Sequence, residues 1–228
     1  MAIDGSGPEE HIDATLFDAE LDTHGAPAAW RKARLCPCLD LTTGAPDPNC
    51  PYCVAYPGVL WGEPSALRVF APARRRQDLY DQNGLLLKGI VTFTFQSTVV
   101  PGHLDQIELT PAVVVVNERH VRGQADPQAR STERFRFPSV LEIEFCESIV
   151  AGVLEQYALG VDFSVDASNA MVWTASAGPP AATLYTVRYT ARPVYICWSP
   201  ESRDENGDRQ PYRCMAQRLD FFRQPVVE

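Results

Sequence analysis

The chain has 228 residues, of which 45% are hydrophobic and 21% are charged, as expected for a folded domain with a substantial core. Its formal net charge is −9, which argues against general nucleic-acid binding because an acidic surface repels phosphate. No apolar run reaches the roughly 18 residues that a membrane helix needs, and residues 1–10 do not resemble a secretory signal. We therefore expect synthesis in a reducing cytoplasm and no membrane partner.

Residues 1–30 are predicted to form an N-terminal arm. Within this arm, residues 9–21 favour a short acidic helix that becomes ordered on a partner, with Ile12, Leu16 and Phe17 as apolar anchors. A second helix of one or two turns is predicted over residues 27–34, because proline is favoured at the first helical position. This second helix would lead directly into a cysteine-rich segment, predicted over residues 31–62.

The cysteine-rich segment is the most informative part of the sequence. It contains two close pairs, Cys36 with Cys38 and Cys50 with Cys53, joined by a loop that has no apolar period. Such pairs can place four sulfur atoms around one point, which is the geometry of a tetrahedral zinc site. The sequence therefore predicts a structural zinc ion bound by all four thiolates. A site closed in this way has no free coordination position, so the ion would brace the chain and take no part in catalysis.

Disulfides and free thiols remain alternatives to the metal. Cys50 and Cys53 have the spacing of a zinc knuckle, but the other pair has one spacer residue where a knuckle has two, and Val54 stands where a knuckle has glycine. The odd total of seven cysteines and the predicted reducing environment favour metal. If the protein is part of a particle that is released from the cell, the oxidising medium outside would favour disulfides.

The remaining cysteines lie within strand-like runs and are predicted to be buried thiols that act as small hydrophobic residues. They are Cys146, Cys197 and Cys214. The last two can pair only if their strands are neighbours.

Residues 63–228 are predicted to form a β-rich body, because the hydrophobic period changes to two. A continuous apolar run at 112–116 predicts a strand covered on both faces, and Pro138 predicts a bulge or an edge position in the strand 135–145. Helical character is restricted to a turn or two near 148–157. Further strands are predicted at 91–95, 161–165, 171–174, 185–198 (interrupted by Pro193) and 212–222.

These elements predict a mainly β fold. Turn signals between short strands are typical of an antiparallel β-sandwich or barrel. The complete predicted fold is therefore an antiparallel β-sandwich or barrel with a short helical N-terminal arm and a four-cysteine loop. Residues 117–133 are predicted to be an extended, exposed contact loop, and the basic run 74–76 is either a solvated loop or a contact with an acidic partner.

No catalytic constellation is evident in the sequence, so we expect the protein not to be an enzyme. No nucleophile motif, phosphate-binding glycine loop or dinucleotide fingerprint is present. The aspartates Asp162 and Asp166 flank a predicted hairpin, where turn geometry alone explains them. No two histidines have the sequence spacing expected of a pair of metal ligands. The histidines are His11, His24, His103 and His120.

Two stretches of the sequence carry a family resemblance. The first comprises Trp30, the cysteine-containing residues 36–53 and the following residues 57–58. The second comprises residues 159–166, 172–173, 184–195 and 218–220. Together they resemble the neck or head-to-tail connector proteins of tailed bacteriophages, of the collar or stopper-like kind.

The resemblance implies a structural virion protein that is assembled in the host cytoplasm. It implies a homo-oligomeric ring between the portal or adaptor and the tail proteins, around a channel through which DNA passes without sequence-specific binding. A negative net charge suits such a channel wall, because it disfavours phosphate binding.

Two alternatives to a connector remain open. One is a zinc-binding nucleic-acid module, suggested by the knuckle-like pair and the basic run 74–76. The other is a β-sandwich hydrolase with Asp162, Asp166 and His103 as its candidate residues, although no motif supports it.

Overall fold

A computed structural model describes residues 13–47, 50, 52–53, 58–71, 89–123, 133–167, 169–175, 177–201, 204–205, 208–209 and 211–221. The predictions made for residues 1–12, for the basic run 74–76 and for residues 124–132 of the loop 117–133 lie outside these residues. The start of that loop was predicted wrongly, because residues 117–121 are the end of an eight-residue strand that pairs with residues 184–188.

The predicted mainly β fold is confirmed. The described part of the chain contains one helix, α1 (Ala14–His24), and the pairings between its strands are antiparallel. The strands β1 to β16 are Ala26–Arg31, Ala33–Leu35, Val59–Trp61, Ser65–Val69, Ile90–Thr94, Gln106–Leu109, Val114–Val121, Val140–Val150, Val153–Tyr157, Phe163–Val165, Met171–Trp173, Leu184–Ala191, Val194–Glu201, Asp204–Glu205, Asp208–Arg209 and Arg213–Arg218.

Six strands form a closed antiparallel barrel. Their order is β4-β1-β6-β13-β16-β5, and Phe70, just after β4, exchanges two 2.9 Å backbone hydrogen bonds with Thr94 at the end of β5. This single bridge joins the two end strands of the sheet at one point. The barrel interior includes Phe93 and Phe95, both fully buried, and each contributes about 1.5–3 kcal/mol of hydrophobic stabilisation.

A second sheet extends from the barrel in the order β7-β12-β8-β9. Strand β12 leads through Arg192 and Pro193 directly into barrel strand β13, so Pro193 does interrupt the 185–198 run, as predicted. The predicted hairpin is also confirmed as β10 and β11, and it packs on the inner face of this sheet. The second core includes Phe135, Phe137, Phe163, Met171, Tyr185 and Tyr189.

The helix predicted over residues 27–34 is wrong. Residues 26–31 form β1, which lies between β4 and β6. Ala28 and Trp30 face the barrel core, while the residues between them face outward, so the burial pattern has the period of a strand. Strand β1 spans the boundary that was predicted between the arm and the cysteine-rich segment.

The helical turns predicted near 148–157 are also wrong, because this segment is the β8–β9 hairpin. Ala151 and Gly152 at its tip have φ values of 50° and 83°. Positive φ at both central residues is the geometry of a tight two-residue hairpin turn, which glycine adopts without strain.

Two predictions about strands need correction: the burial of the run 112–116 and the position of Pro138. Val113 and Val115 are 58% and 51% exposed, so the run 112–116 is not covered on both faces; the strand that it enters, β7, is at the edge of its sheet. Pro138 precedes β8, which begins at Val140, and the register irregularities lie further along, opposite residues 188–191 of β12.

Helix α1 is held by the body of its own chain. Asp13 caps its start by accepting a hydrogen bond from the Thr15 amide at 2.8 Å. Asp18 accepts hydrogen bonds from the backbone and hydroxyl groups of Ser97, and Leu21 is buried. Leu16, predicted as an apolar anchor, is instead 66% exposed.

Candidate metal centre

A short hairpin holds the two ends of the cysteine-rich segment together. Strand β2 leads into Cys36, and β3 pairs with β2 so that Leu35 lies opposite Val59. The amide of Cys36 then donates a 2.8 Å hydrogen bond to the carbonyl of Gly58. The two ends of the loop therefore meet at the first cysteine, which brings the four thiols into one place.

The four predicted ligands converge. The Sγ atoms of Cys36, Cys38, Cys50 and Cys53 all lie within 4.8 Å of one another. The Cys36–Cys50 sulfur pair is 3.6 Å apart and the Cys38–Cys53 pair is 3.5 Å apart. Among the residues that the structure describes, no other group of three or more His, Cys, Asp or Glu side chains is arranged to hold a metal ion.

The sulfur separations suit a metal better than a disulfide. A tetrahedral zinc site with Zn–S bonds of about 2.3 Å places its sulfur atoms about 3.8 Å apart. The observed pairs are close to that value, whereas a disulfide needs about 2.05 Å. None of the four cysteines forms a disulfide, and three are at most 6% exposed. The cluster can therefore hold a metal ion in a closed, four-thiolate site.

Backbone amides around the second pair favour the thiolate form. The Sγ of Cys50 accepts hydrogen bonds from the amides of Tyr52 and Cys53, and these lower its pKa to about 6. The Gly58 amide donates to the Sγ of Cys53, although burial is the larger effect there and raises the pKa of Cys53 overall. Amide donors of this kind support the negative charge that a metal ligand must carry.

Gly58 takes the place of the glycine that the sequence lacks after Cys53. Its φ of 82° lies in the left-handed region, and a Cβ atom there would be 2.9 Å from the Leu39 side chain. This backbone conformation lets its amide reach Cys53 while its carbonyl receives the amide of Cys36. Although Val54 stands where a zinc knuckle has glycine, Gly58, further along the chain, therefore provides a glycine at the folded site.

The first pair is electrostatically different from the second. Burial, followed by the hydrogen bond with Cys36, raises the pKa of the Cys38 thiol to about 12. In the metal-free protein this thiol is protonated at neutral pH, so an incoming cation would displace its proton.

The loop between the pairs is folded by a local turn. Asp40 accepts hydrogen bonds from the amides of Thr42 and Thr43 and from the Thr43 hydroxyl group, which together lower its pKa. Gly44, with a φ of 69°, completes the turn through a 2.8 Å bond from its amide to the Asp40 carbonyl.

Asp105 attaches the cysteine-rich segment to the barrel. This buried carboxylate accepts hydrogen bonds from the Trp30 indole, from the Ala33 amide and from the Gly102 amide, at 2.7–2.8 Å. Trp61 adds a 2.9 Å bond from its indole to the Leu104 carbonyl. The strands on both sides of the cluster are therefore fixed to one barrel loop.

The other predicted residues lie apart from this centre. The predicted burial of Cys146, Cys197 and Cys214 is confirmed. Strands β13 and β16 are neighbours, and contact with Cys214 together with burial raises the pKa of the Cys197 thiol, which remains free.

The candidate hydrolase residues have local structural roles. Asp162 accepts a hydrogen bond from the Ala158 amide at 2.7 Å, and Asp166 accepts one from the Ala170 amide at 2.9 Å. The His103 ring contacts the Trp198 carbonyl at 3.0 Å. The two aspartates therefore have the turn role that the sequence indicated.

Sequence reasoning missed four buried carboxylates. Asp105, Glu108, Glu118 and Glu133 are all at most 9% exposed, and their hydrogen bonds connect distant strands. Glu133, for example, accepts from the indole of Trp173 and the hydroxyl group of Tyr185. The sequence contains only a weak indication that these carboxylates are buried. Glu108 lies between two apolar residues in a strand, and Glu118 lies two positions from Val116 on the same strand face.

Comparison with known proteins found no matching protein family and no similar curated protein. The described part of the chain also contains no helix that is long and apolar enough to cross a membrane.

Proposed function

We propose that the four-cysteine cluster binds one structural zinc ion. The observation that carries this proposal is the convergence of four predominantly buried thiols, whose sulfur atoms all lie within 4.8 Å of one another, in a loop with no hydrophobic core of its own. Four thiolates complete the coordination of zinc, so the ion would act as a brace. It would hold β2 and β3, and the turn around Asp40, in place on the barrel.

We further propose that the protein is a structural subunit of a tailed-phage neck, forming a ring between portal or adaptor and tail. The resemblance of two sets of short stretches to connector proteins motivates this function. They are Trp30 with 36–53 and 57–58, and 159–166 with 172–173, 184–195 and 218–220. A metal-braced segment on a barrel supports this function, since the subunits of a ring must keep their shape in the assembly. The acidic net charge supports passage of DNA without tight binding.

The second sheet has features that suit assembly. Strand β9 is at its edge, and the β8–β9 hairpin exposes Ile149, Val153 and Leu154 by 67%, 63% and 59%. Neighbouring exposed apolar side chains on an edge are a common feature of surfaces that become buried in oligomers.

Electron microscopy of the purified protein, alone and mixed with the portal ring, tests the connector function. The expected result is a ring with a central channel that docks coaxially on the portal. Leu154→Lys should reduce ring formation because it places a charge in the proposed contact. Leu41→Lys, at a fully exposed position on the cysteine loop, is the matched control and should leave rings intact.

A protein that stays monomeric at all concentrations and is absent from purified particles would contradict this function. Salt-dependent DNA binding by that monomer would favour the nucleic-acid module in its place.

A further inference from the structure

A cleft of about 450 Å³ lies beside the cysteine-rich segment. One wall is β3 and the residues that follow it, including Trp61. Another part of the lining comes from the segment 134–138, and Tyr52, from between the second pair of cysteines, also lines the cleft. The cleft therefore lies between the proposed metal-braced loop and the second sheet.

The cleft has a positive lining in an acidic protein. Three arginines, Arg31, Arg134 and Arg136, line it together with one acidic residue, Glu63, so its formal charge is three minus one, or +2. The whole chain has a formal charge of −9. A local concentration of guanidinium groups against that background indicates a site that attracts anions.

The arginines are only partly engaged by the protein itself. Arg31 donates to the Gln106 side chain at 2.9 Å and lies 3.9 Å from the Glu108 carboxylate. Arg136 donates to the Asp220 carbonyl at 3.4 Å and has its Nε atom 3.9 Å from Glu118. The Nε of Arg134 is buried and has no hydrogen-bond partner among the described residues. A buried donor without an acceptor is unfavourable, so the Arg134 guanidinium is incompletely satisfied among the described residues. An anion in the cleft would pair with such a guanidinium group.

The wall that carries two of these arginines is held rigidly. Phe135 and Phe137 are buried in the second core, so the alternating residues Arg134 and Arg136 face the cleft. The Phe135 amide donates to the Asn169 carbonyl at 3.0 Å, and the Asn169 side chain donates to the Phe137 carbonyl at 2.6 Å. A backbone held in this way fixes where the two arginine side chains begin, so less of the wall has to become ordered on binding, which favours affinity.

We propose that this cleft binds an acidic peptide segment of a partner protein. Its carboxylates pair with Arg134 and Arg136, and its apolar side chains pack on Leu60 and Trp61. A short acidic peptide fits better than nucleic acid, because a long polyanion would extend beyond the cleft and meet the acidic remainder of the surface. The proposal does not depend on the connector function.

Fluorescence anisotropy with synthetic peptides tests this site. The probe is a labelled octapeptide of alternating glutamate and leucine, and its counterpart with glutamine for glutamate is the peptide control. The acidic peptide should bind saturably, and the glutamine peptide should bind about tenfold more weakly or worse. Arg134→Gln should weaken binding of the acidic peptide by a similar factor. Arg119→Gln, on an exposed position of β7, is the matched control and should leave binding unchanged.

Arg136→Gln is the second test variant, because its side chain is 53% exposed and its replacement leaves the fold intact even if Arg134→Gln does not fold. Three results would overturn the proposal: no saturation up to about 1 mM peptide, equal binding of both peptides, or unchanged binding by the folded arginine variants. Displacement of the peptide by single-stranded oligothymidine would assign the cleft to nucleic acid and also overturn it. None of these results bears on ring formation, which is scored by microscopy.

Discussion

At the scale of single residues, the cysteine centre depends on groups that are not ligands. Gly58 supplies an amide to Cys53 and a carbonyl to Cys36 from a left-handed conformation. Asp105 holds the strand that enters the centre through its bond with Ala33. Both residues act by position, so their replacement should affect the centre without removing a sulfur atom.

Gly58→Ala is expected to destabilise the metal-bound segment by about 1–2 kcal/mol, because alanine is strained at positive φ. Its Cβ would also lie 2.9 Å from Leu39. Gly44→Ala is the control, since Gly44 has a similar φ but a Cβ added there would meet no atom within 4 Å. Competition with a zinc chelator measures both variants. An equal loss of affinity in the two would contradict the close-approach argument.

Asp105→Asn is expected to lower the free energy of unfolding by about 1–3 kcal/mol, because three donors converge on this buried carboxylate and an amide would present N–H groups to at least one of them. Asp40→Asn, in an exposed turn, is the comparison and should have a smaller effect. Urea denaturation measures the difference. A loss no larger than that of Asp40→Asn would show that Asp105 does not anchor the segment.

At the scale of elements, the sequence predicted what local periodicity determines. Alternating residues located β5 and the β10–β11 hairpin, and Pro193 marked the break before β13. The spacing of the cysteines located the four converging thiols. Strand β1 was mistaken for a helix, because its conformation is set by pairing with β4 and β6, whose residues are distant in the chain. Gly58 and Asp105 were missed for the same reason.

Cys50→Ser is expected to loosen residues 36–61 while the barrel and second sheet stay folded, because metal binding and local folding are coupled. Hydrogen–deuterium exchange should show faster exchange in β2 and β3 and unchanged exchange in β12 and β13. Cys146→Ser, in the second core, is the contrasting variant and should affect β8 and β12 instead. Uniform loss of protection throughout Cys50→Ser would contradict a locally acting brace.

Acidification is expected to release the metal. The Cys50 pKa is lowered from 9.0 to about 6, so its thiolate is favoured by the fold above about pH 6 and is lost as the pH falls through that value. The raised pKa of Cys38 means that its proton must leave before a metal binds, so protons compete with the metal increasingly as the pH falls. Zinc retained after dialysis should therefore fall toward about pH 5. Retention that does not change with pH would contradict thiolate ligation.

At the scale of the whole molecule, the barrel and the second sheet have different proposed roles, the first as a rigid core and the second as a surface for assembly. The bridge between Phe70 and Thr94 joins the two end strands of the barrel sheet, which suits a rigid core. The second sheet ends at β7 and β9 and exposes apolar side chains on the β8–β9 hairpin. The proposed zinc brace lies on the barrel, and the proposed peptide cleft lies between this brace and the second sheet.

The central claim, that four thiolates hold one structural zinc ion, is tested most directly by elemental analysis of the purified, reduced protein. The expected result is about one zinc per chain, with Cys36, Cys38, Cys50 and Cys53 protected from thiol reagents until a chelator is added. A zinc content near zero, with all four of these thiols titratable in the folded protein, would contradict the account.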